Sequence, residues 1–440
     1  MRNTAAILAI FQVICILTGS LRSSDEIPGA PQKTPIIIEG ATIHPVSSPS
    51  FTGALLFDKG RIVALGKEVK APEGAKKIDA GGKHVFPGFF DAYSQLGLTE
   101  INAVRATKDL SESGSINPNV KALVAVNPDS ELIPVARANG ILLALTAPSG
   151  GLVSGMASTI QLDGWTWEDM TLAARGGLYI NWPAVSPASA WLVKGPAKKQ
   201  LENRDKRLRE LAGVFEAARA YSTARSARGP DQPVDARLEA MLPVLRGELP
   251  VIARAETIQT IQSAVTFAER QGIRLIIHGG HDAPLCAALL KKHEVPVILR
   301  SVYRLPRRRS EPYDHRYTLP KRLREAGIEF AISGSPTART AHMRNLPYHA
   351  AMAAAFGLSR EEALEAITLA PARILGVAER VGSLEEGKDA TLFISGGHMF
   401  EISSNVEQAF IQGREVDLSS RHKRLWRKYG EKYRRQRENK

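Results

Sequence analysis

The segment His278-Gly-Gly-His281-Asp282 follows an apolar run and precedes a helical one, so two imidazoles, two glycines and a carboxylate stand where strand turns into helix. The glycines and the helix start could receive an anion, and Asp282 suits a helix N-cap. The two histidines could instead pair with Asp282 as a hydrogen-bonded relay, and a conventional turn accounts for them too. Ala147-Pro-Ser-Gly-Gly-Leu-Val-Ser-Gly155 is a Gly/Ser-rich loop after another apolar run. It lacks the Gly-Lys-Ser/Thr ending of a nucleotide-binding loop. No Gly-x-Ser-x-Gly occurs where a strand meets a helix, so no serine nucleophile elbow is offered. Cys286 falls in the apolar helical stretch from Ala283 to Leu290 and reads as a buried, inert thiol. Trp165 and Trp167 read as packing aromatics.

These groups need a framework. The chain has 440 residues, 44% apolar and 23% charged, which excludes collagen-like, wholly disordered and multi-span membrane classes. Met1-Arg2 leads into an apolar run from Ala5 to Thr18, then small and polar residues up to Asp25-Glu26. That is the layout of a secretory signal peptide, placed at 1–20. The run is shorter than the roughly 20 residues that span a bilayer. The chain is therefore expected to be exported, either periplasmic or secreted. Cys15 would leave with the peptide, and Cys286 alone can form no internal disulfide.

Short β-like runs appear at 35–39, 53–57 and 61–65, with Asp58-Lys-Gly60 as a hairpin turn between two of them. A second β cluster lies at 390–394, 406–411 and 413–416. Neither is large enough to fold alone, so the two are expected to pair across the chain. Between them, apolar runs at 140–145, 250–254, 274–278, 296–300 and 328–332 alternate with helical stretches at 257–271, 283–293, 319–326 and 347–356. Strand followed by helix, repeated, predicts a parallel α/β barrel of the TIM type. Residues 192–245 are helical and charge-rich, interrupted by a polar loop from Ser222 to Pro233.

Two further segments carry a resemblance. Phe86-Pro-Gly-Phe-Phe-Asp91-Ala-Tyr93-Ser-Gln95-Leu-Gly-Leu98 resembles the first-strand motif of the amidohydrolase superfamily, Pro-Gly-aliphatic-aliphatic-Asp-x-His-x-His-x-Gly. Ala366-Ile-Thr-Leu-Ala-Pro-Ala-Arg-Ile-Leu-Gly376 with Val381-Gly-Ser-Leu-Glu-Glu-Gly-Lys-Asp-Ala390 is similar to that family's closing helix and return to the β unit. The resemblance implies a TIM-type (β/α)8 barrel over 86–382, a composite β-sandwich from 35–85 and 383–417, and a basic tail over 418–440. It also implies a zinc-type divalent metal at the strand ends that activates water against a carbon–nitrogen bond, as in imidazolonepropionase-like and dihydroorotase-like members. The Ala147–Gly155 segment would then be a loop covering substrate.

Residue by residue, most of the implied metal ligands are missing. The two motif histidines are Tyr93 and Gln95, Arg254 stands at the end of the fifth strand, and Ser335 takes the place of the eighth-strand Asp. His278 alone survives. A phenol and an amide bind transition metals poorly, and a guanidinium repels them. No cofactor is expected, zinc being required only if this ligand loss is misread. The same residues, Asp91, Tyr93, Gln95, Arg254, His278, His281 and Ser335, become a candidate pocket in which Arg254 meets a carboxylate or similar anion. The alternatives are a surviving hydrolase of cyclic amides, and an inactive barrel that binds an anionic ligand or acts as a scaffold. Asp314-His315 and His342 follow the last strands and could replace lost catalytic groups.

The formal net charge of +13 raises a nucleic-acid partner. No zinc-finger, RRM or recognition-helix pattern supports sequence-specific binding. From Arg421 to Lys440 there are ten Lys or Arg against two Glu, so much of the excess lies in a terminal arm, helical or disordered. That arm is expected to make electrostatic contact with envelope or membrane anions.

Overall fold

The computed structural model describes residues 26–186, 196–229, 233–334 and 340–438. The expected signal peptide, Cys15 and Ser335 lie outside the described residues.

The chain opens with β1 (Ile36–Ile43), β2 (Phe51–Asp58), β3 (Arg61–Gly66), β4 (Lys76–Asp79) and β5 (His84–Pro87). The β2–β3 turn has Lys59 and Gly60 both at positive φ, the conformation that the Asp-Lys-Gly signal calls for. Barrel strands follow: β6 (Phe89–Ser94), β7 (Ile141–Thr146), β8 (Val153–Gln161), β9 (Thr171–Asn181), β10 (Val251–Ala255), β11 (Leu275–Gly279), β12 (Val297–Leu299) and β13 (Phe330–Ile332). The chain returns through β14 (Leu392–Ser395), β15 (Val406–Ile411) and β16 (Arg414–Glu415). The first five and last three strands share one sheet, ordered β16-β15-β14-β5-β1-β2-β3, with β4 also on β1. The two separated β runs therefore pair across the chain, because each alone leaves an apolar face uncovered.

The other eight strands form the barrel sheet in chain order. Its two ends are drawn together by Ser333 Oγ donating to the Tyr93 carbonyl at 2.8 Å. The segment at 366–367 accepts the Phe90 and Ile332 amides alongside. The barrel departs from the parallel expectation at one strand: β8 runs antiparallel to both β7 and β9. Only six residues separate β7 from β8. A parallel crossover needs about a dozen or more, so the chain can only turn back. The Ala147–Gly155 loop is thus the tip of a hairpin, held to the preceding segment by the Ser149 amide on the Leu110 carbonyl.

Helices on the outer face begin where the sequence signals them. Ile258–Gln271 starts with a Thr257/Thr260 capping box and ends at Gly272 in the left-handed region. The long helix Ala197–Arg228 runs through the expected polar loop at 222–228. Ala224, Arg225, Ala227 and Arg228 are strong helix formers, and the break waits for Gly229. Trp167 packs against the core as expected, whereas Trp165 is exposed. Cys286 is buried and free.

The barrel meets the β sheet at Gly140. Its φ is +82°, and a Cβ there would lie 2.8 Å from the Phe393 ring of β14. Gly140→Ala is expected to cost about 2–4 kcal/mol, from left-handed strain plus overpacking. Chemical denaturation measures this, and an unchanged midpoint would show that the junction has slack.

Candidate functional site

Side chains alternate along each barrel strand between the interior and the surrounding helices. Ile252, Ile276, Ile298 and Ala331 belong to the interior cluster. Two positions further on, Arg254, His278, Arg300 and Ser333 face the mouth at the strands' C-terminal ends. Tyr93 joins them through a bulge: the β6–β7 register shifts between Asp91 and Ser94, and both Ala92 and Tyr93 pack inward.

Three rings form the floor. Tyr93 stacks on His278 with centroids 3.9 Å apart, and Tyr179 Oη lies 2.8 Å from His278 Nδ1. The two tyrosine rings are 5.3 Å apart. Burial, reinforced by Arg300 and Arg254, holds the His278 pKa well below its usual value, so the imidazole is neutral. Burial pushes Tyr179 well above the usual phenol range. Beneath them Asp91 is fully buried. Its Oδ1 accepts the Tyr93 amide at 3.2 Å. Burial pushes its pKa up to about 7, against the smaller opposing effects of Ser333 and the Tyr93 and Gly334 amides.

Above the rings lies a cluster of arginines. Glu256, just past β10, is 2.8 Å from Arg300, 3.7 Å from Arg304, 3.9 Å from Arg307 and 3.7 Å from Arg316. Burial raises the Glu256 pKa, but Arg300 and Arg316 outweigh it, so the net shift is downward and the carboxylate stays charged. Arg254 is exposed in the same mouth, close enough for its charge to act on Tyr93, Tyr179, His278 and Arg304. Arg316 is 1% exposed, and none of its side-chain nitrogens has a hydrogen-bond partner. Burial, chiefly, lowers its pKa to about 10, which still leaves it cationic at neutral pH.

The remaining candidates form a neighbouring network. His281 Nε2 is 2.8 Å from Glu311 Oε1, and its ring stacks on His315 at 4.6 Å. Asp282 does not cap its own helix turn, and His281 reaches it only at 3.9 Å. Asp282 instead accepts the Ile258 amide at the start of the previous helix and binds Arg308 at 2.6 and 2.9 Å. The expected N-cap and relay are replaced because Arg308 is a stronger partner for a buried carboxylate. Gln95 is buried just past the end of β6, where its carbonyl accepts the Leu98 amide. His342 lies in the turn Thr340–Asn345, outside the ring group.

A divalent metal requires several neutral imidazoles or carboxylates around one point. The strand ends supply His278 and Asp91, with Tyr93 stacked over the imidazole and Arg254 and Arg300 beside it. Among the described residues, the group of three close potential ligands is His281, Glu311 and His315, in the neighbouring network. There Glu311 is already engaged by His281, by Arg308 at 2.7 Å and by the Arg307 and Arg308 amides. Among the described residues, the strand ends therefore offer a divalent metal two potential ligands, His278 and Asp91, and set two guanidinium groups near them. Sequence reading missed Tyr179, Glu256, Arg300, Arg316 and Ser333. Arg300 and Ser333 could have been found by counting two residues on from the inward apolar position of each strand.

A barrel with a β domain built from both chain ends, and a polar mouth at the strand ends, is an amidohydrolase architecture. The model of the amidohydrolase family matches residues 170–416, and the chain belongs to that family. It is 24% identical over 395 residues to an imidazolonepropionase of Mesorhizobium japonicum, covering 85% of this chain and 91% of that protein. It is 22% identical over 404 residues to the amidohydrolase tasK of Hapsidospora irregularis, covering 82% of this chain but only 39% of that protein's length. Among solved structures, an amidohydrolase from Thermotoga maritima superposes with a TM-score of 0.76 at 26% identity, covering 87% of this chain and 99% of that one.

Proposed function

We propose that this amidohydrolase-family barrel binds a small molecule carrying two or more negative charges, through guanidinium groups at its mouth and without a strand-end metal. The observation that carries the reading is Arg316, buried beside Glu256 with no hydrogen acceptor on any of its nitrogens. Four arginines, 300, 304, 307 and 316, share one carboxylate there, with Arg254 exposed in the same mouth, and a carboxylate or phosphate would take up the excess. Candidate ligands are dicarboxylates and phosphorylated acids.

Isothermal titration with malonate, succinate and phosphate tests it. Arg254→Ala is expected to weaken the best of them by about 10- to 100-fold, the worth of one charge-assisted hydrogen bond. Failure of all three to bind, or stoichiometric zinc retained after dialysis and lost on His278→Ala, would overturn the reading.

A second reading is favoured by the imidazolonepropionase relatives and by Asp91. A carboxyl with a pKa of about 7 at a strand end is suited to moving a proton near neutrality. In that case the bound anion would be a cyclic amide bearing a carboxylate, hydrolysed at its carbon–nitrogen bond. Turnover of such compounds that is indifferent to chelators and abolished by Asp91→Asn would select this reading.

A further inference from the structure

The C-terminal helix takes no part in the barrel or its mouth. It runs over Arg421–Glu438 and buries no residue. Arg424 ties its first turn to the body through its side chain, 3.6 Å from Glu131. Leu425, Tyr429 and Tyr433 recur at four-residue steps with Trp426 beside them, so all four share one side of the helix. Each is exposed, Trp426 at 76%. The rest of the surface carries nine Lys or Arg against Glu431 and Glu438. Those two carboxylates are engaged by Arg434 and Arg435.

We propose that this helix is a docking surface for an anionic lipid membrane, lying flat in the headgroup layer with Leu425, Trp426, Tyr429 and Tyr433 turned into it. Trp and Tyr favour that interface because each ring has an apolar body and a polar edge. The flanking cations then meet lipid phosphates, each adding about fivefold to binding. Among the described residues no helix is long and apolar enough to cross a membrane, so the contact is peripheral. A nucleic acid would satisfy the charge but leave the four apolar and aromatic side chains in water. A lipid surface takes up both sides of the helix.

The test is sedimentation of the full chain with vesicles of phosphatidylcholine alone or mixed with phosphatidylglycerol. Reading the ratio between the two removes any contribution from the apolar N-terminal run. The wild-type chain is expected to prefer the anionic vesicles by at least about a hundredfold at low salt, declining as salt rises. A triple variant Arg427→Gln, Lys428→Gln, Arg437→Gln should lose about a hundredfold of that preference. A second variant, Leu425→Ser, Trp426→Ser, Tyr429→Ser, should lose binding with all its cations intact. Barrel unfolding should be unchanged in both. Retention of the preference by the first variant, undiminished binding to the anionic vesicles by the second, or tighter binding of the wild-type chain to duplex DNA than to the anionic vesicles, would overturn the proposal.

Discussion

Glu256→Gln is expected to lower the unfolding free energy by about 3–5 kcal/mol, the usual cost of stripping the partner from buried charges. Gln keeps the shape of the side chain, so the loss reports charge alone. Arg300 and Arg316 are nearly fully buried beside Glu256, and Arg304 and Arg307 lean toward it from the loop after β12. Removing one carboxylate leaves four guanidinium groups repelling one another in a poorly hydrated mouth. Urea denaturation of the variant gives the magnitude. Malonate or sulfate should restore part of the stability, because an anion that binds only the folded state stabilises it by mass action. The same substitution should tighten anion binding at the mouth. A variant as stable as the wild type, or one that anions leave unaffected, would mean that the arginines are neutralised by something other than Glu256.

Asp91→Asn is expected to stabilise the protein at pH 8 and to leave it nearly unchanged at pH 4. Burial raises the folded-state pKa of Asp91 from 3.8 to about 7. Between those values the folded protein holds a proton that the unfolded chain has released, so stability falls as pH rises through the window. A shift of this size corresponds to roughly 4 kcal/mol at pH 8. Asn preserves the acceptor for the Tyr93 amide and carries no charge to bury. Buried histidines act in the opposite direction. Burial, chiefly, lowers His44 to about 3 and His281 and His398 to about 4, so their neutral burial costs stability as pH falls below 6.5. Subtracting wild type from variant at each pH cancels those terms. A difference that stays flat from pH 4 to 8 would show that Asp91 is ionised throughout.

Much of the framework was legible because it rests on local patterns. The apolar runs at 140–145, 250–254 and 274–278 became strands within a residue of their expected limits. Strands β8 and β9 were not legible. Val153–Gln161 mixes Ser, Gly, Thr and Gln with apolar residues, yet it is buried at every position. Its neighbours on both sides supply the pairing that its composition does not advertise. The site divides in the same way. Arg254 and His278 could be placed at strand ends by spacing and resemblance. Glu256, Arg304, Arg307 and Arg316 come from a turn and a loop with no periodicity to read.

By itself the sequence determined the alternation of strand and helix, the split β domain, the family, and the residue types Tyr93, Gln95 and Arg254 at and near the strand ends. Those properties follow from hydrophobic period, turn chemistry and side-chain identity, which act over a few residues. Only the tertiary structure decided that Val153–Gln161 enters the barrel, that Tyr93 and Tyr179 enclose His278, and that four arginines converge around Glu256. These depend on which distant strands become neighbours and how a bulge re-aims one side chain. Barrel closure settles both, by bringing β6 beside β13.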